Sequence, residues 1–358
     1  MKALKLSICI PTYNRKKEVV DLVKSILSNR CEDIEVVVTD NVSTDGTIEA
    51  LATIDDRRLR ICKNQVAIPA FNNMVQSIFN ANGKYAFYCN DRDLIYANKL
   101  DDLIDILRTS EYSFIFTTRR KEENQGDLQI FKKGYDSLIH HNCTHHPTGM
   151  VFNSDLMREY LEKENYFSYL KDMYPLSFLM RDLFKYEKSA IYNIGCWDER
   201  PQEFKSKNIA GTMIGKTLYF YPEMSILLMK DTLTHIFKVN DYSLTKNEEY
   251  TLVNYVIRYF HLCLLSYKSN MISKYETTHY GIDRKFITTI KMVSIFMTYY
   301  KECIIFLDEN DFSSDIKNSL EKSYPAMLVF IIIRSLRLSL SIVKIKLVEL
   351  MNREKAKF

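Results

Sequence analysis

The chain is 358 residues long, 46% hydrophobic and 26% charged; that length supports two domains with buried cores, and that balance excludes a disordered protein. Nine glycines and seven prolines exclude collagen-like and linker-dominated architectures. A formal charge of +4, from 49 basic and 45 acidic residues, gives no electrostatic case for a nucleic-acid partner.

The first hundred residues alternate between two periodicities. Residues 6–10 (LSICI) form a short apolar strand ending at Pro11, and Val19, Val20, Val23, Ile26 and Leu27 recur at helical spacing. Residues 34–39 (IEVVVT) are a β-branched strand, and residues 41–47 (NVSTDGT) a turn able to cap the next helix. Strands follow at residues 59–62 and 85–89, separated by a helix carrying Phe71, Val75, Ile78 and Phe79, and residues 98–108 form a further helix. Strand–helix alternation with short connections predicts an α/β fold with parallel strands, whose ligands bind beyond the strands' carboxyl ends.

After Ser113 the pattern changes. Residues 114–118 and 128–131 flank a polar stretch and read as a hairpin, residues 149–152 as a strand, and residues 172–186 as a helix. Beyond about residue 240 the chain reads as almost wholly helical, at residues 248–267, 284–306 and 314–352. The expected domains are therefore 1–240 and 241–358. The eight cysteines are scattered without a CxxC pair, which argues against a disulfide framework or a zinc ribbon. The amino-terminal residues enter a strand pattern without a signal-peptide core, and no apolar run reaches the roughly 20 residues of a membrane span. A cytoplasmic location is the expectation.

The strand ends present Pro11-Thr12-Tyr13-Asn14, Asp40-Asn41 and Asn90-Asp91-Arg92-Asp93. Polar groups gathered at one sheet edge suit a nucleotide. Asp91 and Asp93 stand at i and i+2, on one side of an extended chain and roughly 7 Å apart, so their tips can converge on one Mg2+ or Mn2+. Taken singly, each of these stretches reads as a turn, a cap or a solvated loop. Their occurrence in this order along the βα pattern is what points to a site.

On the stretches LSICIPTYNR (6–15), VVVTDNVSTDGT (36–47) and AFNNMVQSIFNANGKYAFYCNDRDLIYANKL (70–100), residues 4–200 resemble a family 2 glycosyltransferase of the GT-A fold. The resemblance implies a Rossmann-like, mostly parallel sheet flanked by helices, ahead of the helical carboxyl-terminal region. It assigns the donor nucleotide, usually uridine, to Pro11, Thr12, Tyr13, Asn14, Asp40 and Asn72, with Asn90, Asp91 and Arg92 beside them. The family commonly reads Leu-Asp-x-Asp-Asp where this chain has Cys89-Asn90-Asp91-Arg92-Asp93. Either the shifted pair Asp91 and Asp93 holds Mn2+ or Mg2+, the reading preferred here, or Arg92 replaces part of the ion's charge on the diphosphate.

The resemblance also implies a general base for the acceptor hydroxyl at the start of a later helix, where Asp172 stands, and an acceptor segment at Thr148 and Gly149. Trp197, the single tryptophan, either stacks on a sugar face or belongs to the core. The cluster His140-His141-Asn142-Cys143-Thr144-His145-His146 has zinc-ligand types without finger spacing and reads better as a loop leading to Thr148.

Residues 326–358 combine an apolar run with seven Lys/Arg against two Asp/Glu, more than the whole net charge of the chain. That suits an interfacial helix on an anionic membrane, with core packing or a homo-oligomer as the competing readings. The expected function is inverting transfer of a single sugar from a UDP-sugar to a glycan acceptor, a lipid-linked oligosaccharide of capsule or other surface polysaccharide by resemblance. The alternatives are an inert homologue acting as scaffold or glycan-binding subunit, motivated by Asn90 and Arg92, and a sugar nucleotidyltransferase, against which the glycine-free PTYNRKK speaks.

Overall fold

The computed structural model describes residues 4–355 except 122–124, 142–145, 164–165, 167–173, 201–212, 215–216, 219, 241, 274–282 and 284. The chain forms two compact units, Met1–Gly211 and Thr212–Phe358.

In the first unit, β1 (Leu6–Thr12), β2 (Ile34–Asp40), β3 (Leu59–Lys63) and β4 (Tyr85–Tyr88) alternate with helices α1 (Lys16–Leu27), α2 (Thr47–Ala52) and α3 (Ala70–Phe79). All seven residues of β2 are buried, which is why the segment reads as a continuous β-branched run and not an alternating one. Helix α1 turns Val19, Leu22, Val23 and Ile26 inward, the face that its helical spacing predicts. There follow β5 (Asp93–Ile95), α4 (Leu100–Thr109), β6 (Phe114–Arg119), β7 (Leu128–Phe131), α5 (Tyr135–His141), β8 (Met150–Asn153), α6 (Ser154–Tyr160), α7 (Pro175–Leu183) and β9 (Ser189–Glu199).

The strands make one nine-stranded sheet in the order β3-β2-β1-β4-β8-β6-β9-β5, with β7 also on β9. The expected parallel arrangement holds for β3, β2, β1 and β4. Beyond β4 the sheet is mixed, because β8 runs antiparallel to both of its neighbours and β5 and β7 run antiparallel to β9. The expected hairpin of β6 and β7 does not form. Eleven-residue β9 lies between them, parallel to β6 and antiparallel to β7.

In the second unit a short ladder of β10 (Met213–Ile214) and β11 (Thr217–Leu218) precedes α8 (Pro222–Thr234), a π-helical turn His235–Val239, α9 (Lys246–Ile272), α10 (Thr289–Glu309) and α11 (Ser314–Lys355). Helix α8 opens on Pro222, whose missing N–H costs nothing in the first turn. A capping box starts α9, Thr245 accepting from the Glu248 N–H while the Glu248 carboxylate accepts from the Thr245 N–H. The division falls at Gly211/Thr212 and not near residue 240, because α8 packs against α9 and α10.

Helix α11 buries Ile316, Leu320, Met327 and Ile331. Buried Lys268 of α9 donates to the Ser335 carbonyl and hydroxyl, each at 2.8 Å, and to the Ser339 hydroxyl at 2.7 Å. By length and composition Ser314–Ser341 is apolar enough to cross a membrane. That corrects the expectation of no such segment, since residues 324–341 carry only Arg334 and Arg337 as charges.

One close approach fixes the middle of the sheet. Gly149, at φ +103°, passes so close beneath Trp197 that a β-carbon would overlap the indole nitrogen and lie 2.5 Å from the Thr117 carbonyl. The same indole N–H donates to that carbonyl at 2.7 Å. Gly149→Ala combines overpacking with a backbone conformation that side chains avoid, and should cost roughly 3 kcal/mol. Denaturant titration should show a clearly lowered midpoint.

Candidate active site

Three strand ends meet along one edge of the first unit. At the end of β1, Thr12 is buried and Tyr13 is exposed; Asn14 adopts a left-handed backbone at φ 50°. At the end of β2, Val42 does the same at φ 65°, an uncommon conformation for a β-branched residue. Cross-bonds hold both turns. The Asn14 N–H donates to the Ser43 hydroxyl at 2.8 Å, and the Asn14 side-chain oxygen accepts from the Thr44 N–H at 2.7 Å.

Asp40 closes β2 fully buried. Its Oδ2 accepts from the Ser43 N–H at 2.9 Å, while its Oδ1 is buried without any hydrogen-bond partner. A buried carboxylate oxygen without a donor costs free energy. Beside it an amide network binds the neighbouring elements. Asn41 holds the backbone of Ile68 from both sides, and Asn64 bridges Asn41 and Asn73.

After β4 come the two carboxylates, each only 2% exposed. Asp91 accepts from the Thr12 hydroxyl at 2.9 Å and from Arg15 at 2.8 and 3.0 Å. Burial raises its pKa above the usual carboxylate range, and the Arg15 charge works against that rise. Asp93 accepts from the Thr148 hydroxyl at 2.6 Å and the Asn90 amide at 2.9 Å. The Asn90 oxygen accepts from the Tyr88 hydroxyl at 3.1 Å, and its backbone N–H donates to Thr148 at 2.9 Å. Arg92, between the carboxylates, is half-buried, with no hydrogen bond or ion pair among the described residues.

Residues 7–184 match the glycosyl transferase family 2 model. This is a family 2 glycosyltransferase domain of the GT-A fold.

Among curated proteins, the chain is 31% identical over 182 residues to the abequosyltransferase RfbV of Salmonella typhimurium, covering 47% of this chain and 51% of RfbV. It is 24% identical over 173 residues to the Escherichia coli UDP-Glc:alpha-D-GlcNAc-diphosphoundecaprenol beta-1,3-glucosyltransferase WfgD, covering 46% and 68%. The chain thus spans about half the length of RfbV, and a fifth of a further relative, a glycosyltransferase of Rickettsia conorii. Crystallised Staphylococcus aureus TarS 1-349 superposes with a TM-score of 0.55 at 13% identity, over 90% of this chain and 91% of TarS 1-349.

Within the family 2 domain, the expected donor residues divide in two. Asp40, Arg92, half-buried Asn72 and exposed Tyr13 keep groups available to a ligand, and Pro11 lies half-buried in β1. Thr12, Asn14, Asn90 and Asp91 spend theirs on internal hydrogen bonds. They hold the site in shape instead of lining it.

The acceptor expectations change. Thr148 is fully buried under Asp93, and Gly149 is packed beneath Trp197. Trp197 is 2% exposed with one face covered by His146, the rings stacked at 4.7 Å, so it offers no face to a sugar and the core alternative holds. Asp172 lies outside the described residues, as do Asn142 to His145. His140 stacks on Phe131 while His141 packs among Phe114, Phe131 and Phe184, so these two do not converge on an ion.

A divalent cation bridging Asp91 and Asp93, as expected, would have to displace Arg15 or Thr12 from Asp91, whose two oxygens are both engaged, whereas Asp93 takes both of its donors on Oδ2. Asp91 is bonded from the β1 side by a guanidinium and a hydroxyl, Asp93 from the opposite side by Thr148 and Asn90. No group of three His, Cys, Asp or Glu side chains gathers for a metal among the described residues. Sequence reasoning missed Arg15 and His146, whose Nδ1 stands 4.0 Å from the Asp93 carboxylate. Arg15 follows PTYN directly, so an arginine placed next to a motif that meets buried carboxylates was the available signal.

Removing one partner of a buried ion pair leaves an uncompensated charge, worth about 3–5 kcal/mol. Arg15→Met should therefore lower the melting temperature most at neutral pH. Asp91 titrates above its unfolded value, so the penalty grows as pH rises through its folded pKa and vanishes below it. Melting curves taken at successively lower pH should show the variant converging on the parent.

Proposed function

We propose that this protein transfers a single sugar from a UDP-sugar to a glycan acceptor carried on a lipid diphosphate, with inversion at the anomeric carbon, in the assembly of a bacterial surface polysaccharide such as a capsule. The carrying observation is the partnerless Oδ1 of Asp40 at the carboxyl end of β2. A carboxylate there accepts the imide N–H of a pyrimidine base, and the name of WfgD, with its UDP-Glc donor and diphosphoundecaprenol acceptor, supports uridine and a lipid carrier.

In the reaction the acceptor oxygen attacks the anomeric carbon as the bond to the nucleoside diphosphate breaks. The bonding pair leaves on the diphosphate, and the hydroxyl proton passes to a carboxylate, assigned to Asp172. The domain needs no covalent intermediate, because direct displacement inverts the centre in one step.

With an acceptor on a lipid carrier, the enzyme of this reading works at the cytoplasmic face of a membrane. Exposed Val329, Ile333, Leu336 and Leu340 share one side of α11, and residues 326–358 carry seven basic against two acidic residues. An apolar stripe among cations complements an anionic lipid surface. The opposite side of α11 is packed within its own unit, so the helix lies on the bilayer and does not span it.

Three measurements test this reading. In Asp40→Asn the amide oxygen must stay on the Ser43 N–H, which turns the NH2 toward the base. Calorimetry should show UDP bound about 10–100-fold more weakly. Asp172→Asn should keep UDP affinity while losing about 10²–10⁴-fold in transfer; retained transfer removes Asp172 as base. For the membrane, the full chain should float with phosphatidylglycerol vesicles and not with phosphatidylcholine alone, and Arg334→Glu/Arg337→Glu should reduce flotation. A chain that ignores both vesicles and sediments as a dimer would assign the stripe to a second copy instead.

A further inference from the structure

The acidic motif of this chain contains an arginine where a diphosphate needs positive charge. Asp91 is already neutralised by Arg15 and hydrogen-bonded by Thr12. Asp93 is held by Thr148 and Asn90. For an ion to bridge the two carboxylates, Arg15 or Thr12 would have to leave Asp91, whose two oxygens both accept from them, whereas Asp93 takes both of its donors on Oδ2. Each is a charge-assisted hydrogen bond to a buried carboxylate, among the stronger kinds available to a protein.

Arg92 has the opposite character. It sits between the two carboxylates in sequence, half-buried at the end of β4, and no hydrogen bond or ion pair engages its guanidinium among the described residues. Burial raises the pKa of Asp91 and of Tyr88, and the Arg92 charge acts against both rises. Its planar fork matches two oxygens of a phosphate at once. Asp40, with its open Oδ1, stands at the end of β2, two strands away across β1. Base and diphosphate recognition thus share one sheet edge.

We propose that Arg92 is the cation that binds the donor diphosphate and neutralises it as it leaves, in place of a divalent ion bridging Asp91 and Asp93. This rests on the nucleotide-sugar reading above. Arg15 is the device that makes it work: by pairing Asp91, it removes one of the two charges that would otherwise attract an ion or capture Arg92. When the bond from the anomeric carbon to the diphosphate breaks, the electron pair settles on a phosphate oxygen facing the guanidinium. The charge developing there is balanced without a change in metal coordination.

The test is calorimetric titration of the full-length protein with UDP and with uridine, in EDTA and again with Mn2+. The parent should bind UDP in EDTA within about 3-fold of its affinity in Mn2+. Arg92→Gln should weaken UDP at least tenfold while leaving uridine binding unchanged, which also shows that the variant is folded. Arg92→Lys should fall between, because a single ammonium retains the charge without the fork. If the parent binds UDP only with Mn2+, or if Arg92→Gln loses uridine and UDP equally, the proposal is overturned while the nucleotide reading stands. If the parent binds neither UDP nor uridine with or without Mn2+, both fall.

Discussion

Two carboxylates buried at the end of β4 set the terms for everything around them. A charge taken out of water must be matched by donors, and each carboxylate finds them on a different side. Asp91 draws Thr12 and Arg15 from the end of β1 and the start of α1. Asp93 draws Thr148 from the approach to β8. The demand for satisfaction thus ties three separate chain segments to one strand end. Gly149 and Trp197 serve the same purpose one step further out, since the indole that covers Gly149 fixes the backbone next to Thr148.

The strained turns have the same logic. Asn14 and Val42 occupy left-handed conformations that cost about 1–3 kcal/mol each in residues other than glycine. The turns are held there by bonds that join the first two strand ends, Asn14 to Ser43 and Thr44, and Asp40 to Ser43. These bonds occupy one Asp40 oxygen and leave the other bare. The strained turns and the bonds that hold them thus go together with a buried carboxylate oxygen that has no donor of the protein's own.

What could be read from the sequence follows from how far apart the interacting residues are. The alternation of β1 to β4 with helices is a local, periodic signal, and so are the polar residues that end the strands. The long helices α9, α10 and α11 were equally plain from their apolar spacing. Placement of β9 between β6 and β7 was not, because the pairing of Phe114 with Ser189 spans a separation that no periodicity records. Likewise Thr148 and Trp197 have the right chemistry for an acceptor site. Only the fold shows that one is spent on Asp93 and the other lies under His146. The spacing of Asp91 and Asp93 was legible in the same way, and the prior engagement of Asp91 by Arg15, far away in sequence, was not.

The modest net charge conceals a division of labour between the two units. Because residues 326–358 alone hold five more basic than acidic residues, the rest of the chain is close to neutral. At the end of β4 the charge of Asp91 is paired with Arg15, and Arg92 has no hydrogen bond or ion pair among the described residues. The basic excess sits on a helix with two different apolar sides, one satisfied by Ile316, Leu320, Met327 and Ile331 within its unit, the other exposed through Val329 to Leu340. Amphipathicity in the usual sense is absent, because both sides are apolar. What distinguishes them is which one is packed within its unit.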